Sequence, residues 1–305
     1  MTHRHPVEPI DWSEAAQRLA TGAHDDAAWY VSAAHELALP TTRLAVDIGC
    51  GGAGMCLALA SALSAEAVII GVDGNPDVLA AARQSLEASE IRPGRIRLVE
   101  ADLDHDLTRL DELAGADLIW ASASVHHLAD QQAAIDALAG LLAPGGRLAL
   151  AEGGLRIRHL PWDLGIGEPG LETRLIGAED LWFARMRAAL PGSVAMPYGW
   201  TTALTRAGLS GVGTTTTVIE RPLPLSADDR AAVLHALTAH VERATAADAL
   251  SDADRDTWRR LLDPGDTAWL GHRDDLYSLE ARSVHVGHRE SAQSQPSAST
   301  DERSR

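Results

Sequence analysis

The run Leu44-Ala45-Val46-Asp47-Ile48-Gly49-Cys50-Gly51-Gly52-Ala53-Gly54 constrains the fold of this chain more than any other segment. It reads as a short apolar strand, a carboxylate near the strand's end, then a glycine-rich turn entering a helix. Glycines at such a turn let the backbone approach a ligand closely and adopt positive φ without a Cβ clash. As a bare pattern, Gly49-x-Gly51-x-x-Gly54 is the dinucleotide fingerprint. Asp47 argues against a dinucleotide on chemical grounds. A pyrophosphate seated on the helix N-terminus would be repelled by a carboxylate two residues before the first glycine. A ligand with a cationic amino-acid end and no phosphate would be attracted by it.

S-adenosylmethionine is such a ligand, with an α-amino group and a sulfonium. Downstream, Ala67-Val68-Ile69-Ile70-Gly71-Val72-Asp73 reads as a second strand ending in a carboxylate, 22 positions after Gly51. An acidic side chain at that spacing can accept from both ribose hydroxyls. This fits NAD and S-adenosylmethionine equally. A third strand, Ile96 to Val99, leads to Asp102, whose carboxylate can accept from an adenine amino group while Leu103 covers the ring. Asp102 reads equally well as a solvated loop residue or a helix N-cap.

With these strand ends in hand, the chain resembles the class I S-adenosylmethionine-dependent methyltransferases of the small-molecule type, closely over residues 41–155 and more loosely to about 288. Val46 to Gly54 matches the family's first motif, which implies that Asp47, Gly49, Cys50, Gly51 and Gly54 hold the methionine end. Asp73, with Gly74 and Asn75 beside it, matches the ribose-holding acid, and Ala101-Asp102-Leu103 the adenine motif. Ala116 to Ser124 matches the fourth strand, whose end, at Ala121 and Ser122, lies under the transferable methyl. Leu141 to Leu148 matches the turn into the fifth strand. The resemblance implies an α/β, Rossmann-like, doubly wound seven-stranded sheet with an N-terminal helical lid and helical cap insertions.

Organisation along the chain agrees with that expectation. Strands are expected at 44–48, 68–72, 96–99, 117–121 and 147–151, alternating with helical patterns such as Pro76–Ala88 and Gln131–Leu142, as in a parallel sheet covered on both faces. One or two helices are expected over 11–38, with Trp12, Leu19, Trp29 and Leu37 among their apolar positions. Leu155 to Gly199, rich in Gly, Pro and Trp, reads as irregular. Then follow a helix at 200–208 ending on Gly208, a threonine-rich strand at 212–220, helices at 226–246 and 251–262, and a last strand at 276–287. The expected divisions are therefore a helical lid (1–40), a cofactor-binding core (41–154), a sheet-completing and substrate-capping part (155–289) and a disordered tail (290–305).

Charge and cysteine usage bound the partners. A formal charge of −17 over 305 residues, with arginines scattered and no basic run, disfavours a nucleic-acid groove or an anionic membrane surface. Cys50 and Cys56 sit together in the glycine loop and its helix, which suits free thiols in a reducing cytoplasm. The first eleven residues are too polar for a signal peptide, and there is no long apolar span. The expectation is a cytoplasmic protein without nucleic-acid or membrane partners, either monomer or homodimer.

Methyl transfer needs an aligned acceptor and, for a weak nucleophile, a base. His127 and His126 follow the fourth strand, and either imidazole could serve as that base, with His127 placed ahead. Adjacent histidines rarely point at one ion, so no metal is expected. Ser122-Ala123-Ser124-Val125 stands where enzymes acting on nucleic-acid amines carry Asn or Asp, two prolines and an aromatic. Eight Trp against one Phe and three Tyr raise the prospect of aromatic acceptor walls from Trp162, Trp182, Phe183, Tyr198 and Trp200. Trp29 and Tyr30 could then close the pocket mouth. For any one of these rings, packing is the simpler reading. His159, Asp163, Glu168 and Arg174 are further polar candidates. The competing functions are an NAD-dependent oxidoreductase and a cofactor-binding member of the fold that does not methylate, acting as a regulator or cyclase.

Overall fold

The computed structural model describes residues 16, 19, 22–106 and 111–291. Trp12 and the tail from 292 lie outside the described residues. The elements are α1 (Ala27–Leu37), β1 (Leu44–Ile48), α2 (Gly54–Ala62), β2 (Val68–Asp73), α3 (Pro76–Glu87), β3 (Ile96–Glu100), β4 (Ala116–Ser122), α4 (Gln131–Leu141), β5 (Leu142–Arg158), α5 (Leu171–Ala189), α6 (Trp200–Arg206), β6 (Ser210–Glu220), α7 (Ala227–Ala246), α8 (Asp252–Leu262) and β7 (Leu279–His288). The strands form one seven-stranded sheet in the order β3-β2-β1-β4-β5-β7-β6.

Chain order reverses between β1 and β4. Both flank the switch point in parallel, with Val46 opposite Ile70 on one side and Ile119 on the other. In open α/β sheets a ligand crevice opens beyond the carboxyl ends of the strands at such a point. The strands are there because their apolar runs are buried on both faces. Val46, Ile48, Ile119, Ala121, Leu148 and Leu150 face one way, onto Ile135 and Leu138 of α4 and Ala203 and Leu204 of α6. On the other face Trp120 of β4 is fully buried and meets the ring of Trp29 at 5.7 Å between centroids. Trp29 is therefore a core residue rather than a gate, because its ring finds a larger apolar partner inside the sheet.

Helix starts follow the local chemistry. The Asn75 side chain caps α3 by accepting from the amides of Asp77 and Val78, with Pro76 at the first helical position. Asp130 caps α4 through the Ala133 amide.

The chain divides into two compact units. The larger holds the described residues within Asp11–Glu152, Val194–Thr214 and Val284–Arg305; the smaller holds Gly153–Ser193 and Thr215–Ser283. The smaller has its own core of Leu160, Leu171, Leu175, Leu237, Trp258 and Leu276. Here the sequence expectation needs correction. Leu155–Gly199 is not irregular throughout, since it contains the 19-residue helix α5. Leu171, Leu175, Ala178 and Met186 keep helical spacing on its buried side, but glycines and prolines on both flanks mask that period. Strand β5 also runs well past the expected 147–151, to Arg158, because Gly153 and Gly154 interrupt the apolar run before Leu155 and Ile157 resume it on exposed or half-buried positions.

Candidate functional site

The loop after β1 is built from backbone that few side chains tolerate. Gly49 and Gly51 have φ of +66° and +50°, and Ala53 follows at +64°. A Cβ on Gly49 would stand 2.5 Å from the Ser124 Cβ, so the loop after β4 rests directly on this glycine. The Ser124 hydroxyl donates to the Ile48 carbonyl at 3.1 Å and ties the two loops together. Replacing Gly49 with alanine should destabilise the fold by about 1–3 kcal/mol through overpacking on strained backbone. Chemical denaturation measures this, and an unchanged midpoint would contradict the contact. Gly51 differs, since a Cβ there meets nothing nearer than Leu19 at 4.0 Å. Gly54 opens α2 and makes room for Tyr30, whose ring would lie 2.9 Å from an added Cβ.

Three carboxylates end the first strands, in three different states. Asp47 is 2% exposed and accepts from the Cys56 thiol at 3.3 Å. Burial lifts its carboxyl to about 7, the Asp73 charge adds to the lift, and the Cys56 contacts oppose it. The carboxyl thus titrates near neutral pH, because the sheet removes it from water. The contact with Cys50, and then burial, push the Cys56 thiol well up, while Cys50, lowered by its contact with Cys56, is still raised by burial and the nearby carboxylates; both thiols are free and buried. Asp73 is half-buried and organises the loop, accepting from the Gly51 amide (Oδ2, 3.1 Å) and the Asn75 amide (Oδ1, 3.1 Å). Burial raises its carboxyl and these amides resist. Gly74 lets the chain pass close to the Ala101 carbonyl, 3.2 Å from an added Cβ.

Asp102 is more exposed and serves its own turn, accepting from the Asp104 amide and pairing with His105 at 2.9 Å. Burial pushes its carboxyl up, but these contacts outweigh that and hold it below the usual range. Leu103 packs against the larger unit's core.

At the end of β4, Ala121 is buried and Ser122 half-buried. Ala123 takes a φ of +47°, which turns the chain into Val125–His127. That turn is held by a residue the sequence reading did not single out. Glu152, 3% exposed at the end of the buried part of β5, accepts the Ser124 and Val125 amides on Oε1 at 3.1 and 2.9 Å. Its Oε2 meets His126 Nδ1 at 2.6 Å. Its backbone carbonyl meets His285 Nε2 at 3.0 Å. The signal was available: Leu148-Ala149-Leu150-Ala151-Glu152 is an apolar run ending in an acid, the pattern that singled out Asp73. The His127 ring lies beside that of His126, 4.1 Å between centroids.

Among the described residues, no group of three or more His, Cys, Asp or Glu is arranged to hold a metal ion. No described helix is long and apolar enough to cross a membrane. The remaining aromatic candidates pack: Tyr198 and Trp200 lie against the larger unit's core, and Tyr198 bonds Gln132 under the Arg206 guanidinium. Trp162 is the exception: its ring edge lies against Gly170, but the residue is 69% exposed. Arg174 forms a two-point pair with Asp254.

A family model described as a methyltransferase domain matches residues 46–148. Trans-aconitate 2-methyltransferase of Methylobacterium radiotolerans is 37% identical over 148 residues, which cover 45% of this chain and 52% of that protein. An uncharacterized methyltransferase of Mycobacterium bovis is 29% identical over 109 residues, covering 36% of this chain and 50% of that protein. The chain thus spans about half the length of the curated relatives it matches. Among solved structures, an O-methyltransferase family protein from Burkholderia thailandensis superposes with a TM-score of 0.49 at 16% identity, covering 92% of this chain and 60% of the other.

Proposed function

We propose, from the premise that this chain belongs through residues 46–148 to the class I S-adenosylmethionine-dependent methyltransferases, that it moves a methyl group to a small molecule whose accepting atom must first lose a proton. The observation carrying this reading is the His126–Glu152 pair, which joins the turn after β4 to β5.

The loop's chemistry fits the sulfonium cofactor. No arginine or lysine occurs in 44–54 or 68–77 to neutralise a pyrophosphate. Asp47 would favour the cationic methionine end, together with the Gly49, Cys50 and Gly51 backbone. Asp73, with Gly74 and Asn75 shaping its turn, would accept from the ribose; Asp102 and Leu103 would meet the adenine; and Ala121 and Ser122 would lie beneath the reacting centre. When bound, the cofactor supplies an electrophilic methyl carbon. Glu152, with two amides already on Oε1, directs Oε2 at His126 and so fixes the Nδ1–H tautomer. That leaves Nε2 as the proton acceptor. We therefore assign the base to His126 and the positioning role to Glu152. The acceptor atom is oxygen, nitrogen or an acidic carbon.

A second reading is favoured by the relative named for trans-aconitate: a carboxylate acceptor is nucleophilic as it stands and would need no base. Two buried free thiols suit a reducing, cytoplasmic setting, and the acidic chain suits a partner that is neither nucleic acid nor membrane.

The test is calorimetric titration with S-adenosylmethionine, S-adenosylhomocysteine and NAD, followed by a metabolite screen for S-adenosylhomocysteine release and a gain of one methyl mass. Tight NAD binding without affinity for the sulfonium nucleoside would overturn the proposal. Binding without S-adenosylhomocysteine release would favour a non-methylating member. Asp73→Ala should weaken S-adenosylmethionine by about 1–3 kcal/mol through lost charged hydrogen bonds, and unchanged affinity would remove the ribose assignment.

A further inference from the structure

Glu152 sits where strand β5 changes its footing. The register of β5 against β4 ends at Ser122 opposite Ala151. Directly after Glu152, Gly153 and Gly154 take φ of +74° and +102°, a backbone that leaves the extended geometry of a strand. The carboxylate between these two breaks must still be held closely, because it carries three contacts at once. Its Oε1 accepts the Ser124 and Val125 amides, and its Oε2 meets His126 Nδ1. Rotation of the backbone at residue 152 would displace all three.

His285 holds that backbone from the next strand. Its Nε2 lies 3.0 Å from the Glu152 carbonyl oxygen, an atom that can only accept, so Nε2 carries a proton. In the neutral ring Nδ1 is then an acceptor, and the Thr214 hydroxyl, 2.8 Å away, donates to it. The half-buried imidazole is thus fixed at both nitrogens. A row of side chains results: Thr214 on β6, His285 on β7, Glu152 on β5 and His126 in the turn after β4. All four belong to the larger unit. His285 grips Glu152 by its main chain and leaves both carboxylate oxygens to their own partners.

We propose that His285 is a positioning residue for methyl transfer: its Nε2–H, donated to the Glu152 carbonyl and oriented by Thr214, keeps the Glu152 carboxylate in line with His126. This rests on the reading of His126 as the base. His285 acts only through Glu152, so its loss should be felt in the rate of the chemical step and not in binding. Reacting groups tolerate little displacement, and a misplacement of about 1 Å can cost about 10²-fold in rate.

Three variants of the full chain test it. His285→Phe keeps a ring and removes both bonds, His285→Gln keeps an amide N–H able to reach the same carbonyl, and Thr214→Val removes only the orienting hydroxyl. The first measurement is proton and ¹⁵N spectroscopy of the chain without cofactor or acceptor. The His126 Nδ1 proton, 2.6 Å from Glu152 Oε2 between heavy atoms, should resonate far downfield in wild type and His285→Gln, and move upfield or broaden in His285→Phe. The second is S-adenosylmethionine turnover with the acceptor found in the metabolite screen. His285→Phe should lower kcat by about 10–10²-fold with both KM values nearly unchanged. His285→Gln should recover most of that loss, and Thr214→Val should fall between. A folded His285→Phe with the wild-type His126 resonance would overturn the positioning role and leave the base assignment standing. A displaced resonance with wild-type kcat would instead overturn the base assignment, and the catalytic part of His285 with it. Equal losses in the Phe and Gln variants would show that the bond to the carbonyl does not carry the effect, which also overturns the proposal.

Discussion

Changing Glu152 to glutamine should lower kcat by about 10²–10⁴-fold while leaving the fold and the acceptor KM nearly intact. The reasoning is geometric. The Ser124 and Val125 amides both donate to one oxygen of Glu152, so a glutamine must turn its carbonyl oxygen toward them. Its amide nitrogen then faces His126 Nδ1, which the carboxylate now meets at 2.6 Å. Two donors cannot share that contact. The imidazole must therefore surrender the Nδ1 proton and carry its proton on Nε2, the atom assigned as base. An acid-to-amide change that imposes the wrong tautomer costs about 10⁴ in kcat in a serine-protease triad, and general-base catalysis is commonly worth 10²–10⁴. His126→Phe should lose a similar factor, and the double variant little more, because the two residues act as one device. The pH–rate profile separates this role from a structural one. The pH dependence of wild-type kcat should differ from that of His126→Phe, which has no ring nitrogen to take the proton. Equal rates and profiles in wild type and Glu152→Gln would remove the base and favour an acceptor that is already ionised.

How much of this was legible in the sequence follows from what each feature depends on. Strands β1, β2 and β4 could be bounded to within a residue or so because each is an apolar run buried on both faces, and local composition alone marks such runs; β3, half-buried at most, was marked by Ile96, Leu98 and Val99. Asp73 was legible as the acid ending a second apolar strand, 22 positions after Gly51, whereas its bond to the Gly51 amide belongs to the folded loop. Helix α5 was hidden by the glycines and prolines on its flanks, which drew attention from its own spacing. The His126–Glu152 pair was out of reach for another reason. It forms because β4 and β5 lie side by side with Ser122 opposite Ala151, which brings residues 26 apart in sequence to one point. Register of this kind is a property of the assembled sheet. The raised carboxyl of Asp47 depends on the assembled sheet in the same way: sequence gives the residue type, but the sheet sets its surroundings.

That burial has a measurable consequence. Asp47 is held at about 7 in the fold against an ordinary value of 3.8, chiefly by desolvation. Between those values the folded chain keeps a proton that the unfolded chain releases, so stability declines as pH rises through the window. That rise corresponds to about 4 kcal/mol, fully expressed above pH 7. Asparagine has nearly the same shape, can still accept from the Cys56 thiol, and does not ionise. Asp47→Asn should therefore match the wild type near pH 4 and exceed it by about 2–4 kcal/mol at pH 8, measured by denaturant unfolding without cofactor. The same change should weaken S-adenosylmethionine about tenfold or more at pH 8, because a cationic ligand end favours the ionised carboxyl. Linkage then requires wild-type affinity to increase between pH 6 and pH 8 with proton release on binding, and the asparagine variant to bind with a flat pH dependence. Calorimetry in buffers of different ionisation enthalpy reads that proton directly. An asparagine variant less stable than wild type at pH 8 would mean that Asp47 is ionised and well solvated in the fold. A variant of raised stability and unchanged affinity would mean that its carboxylate supports the loop without meeting the ligand's positive end.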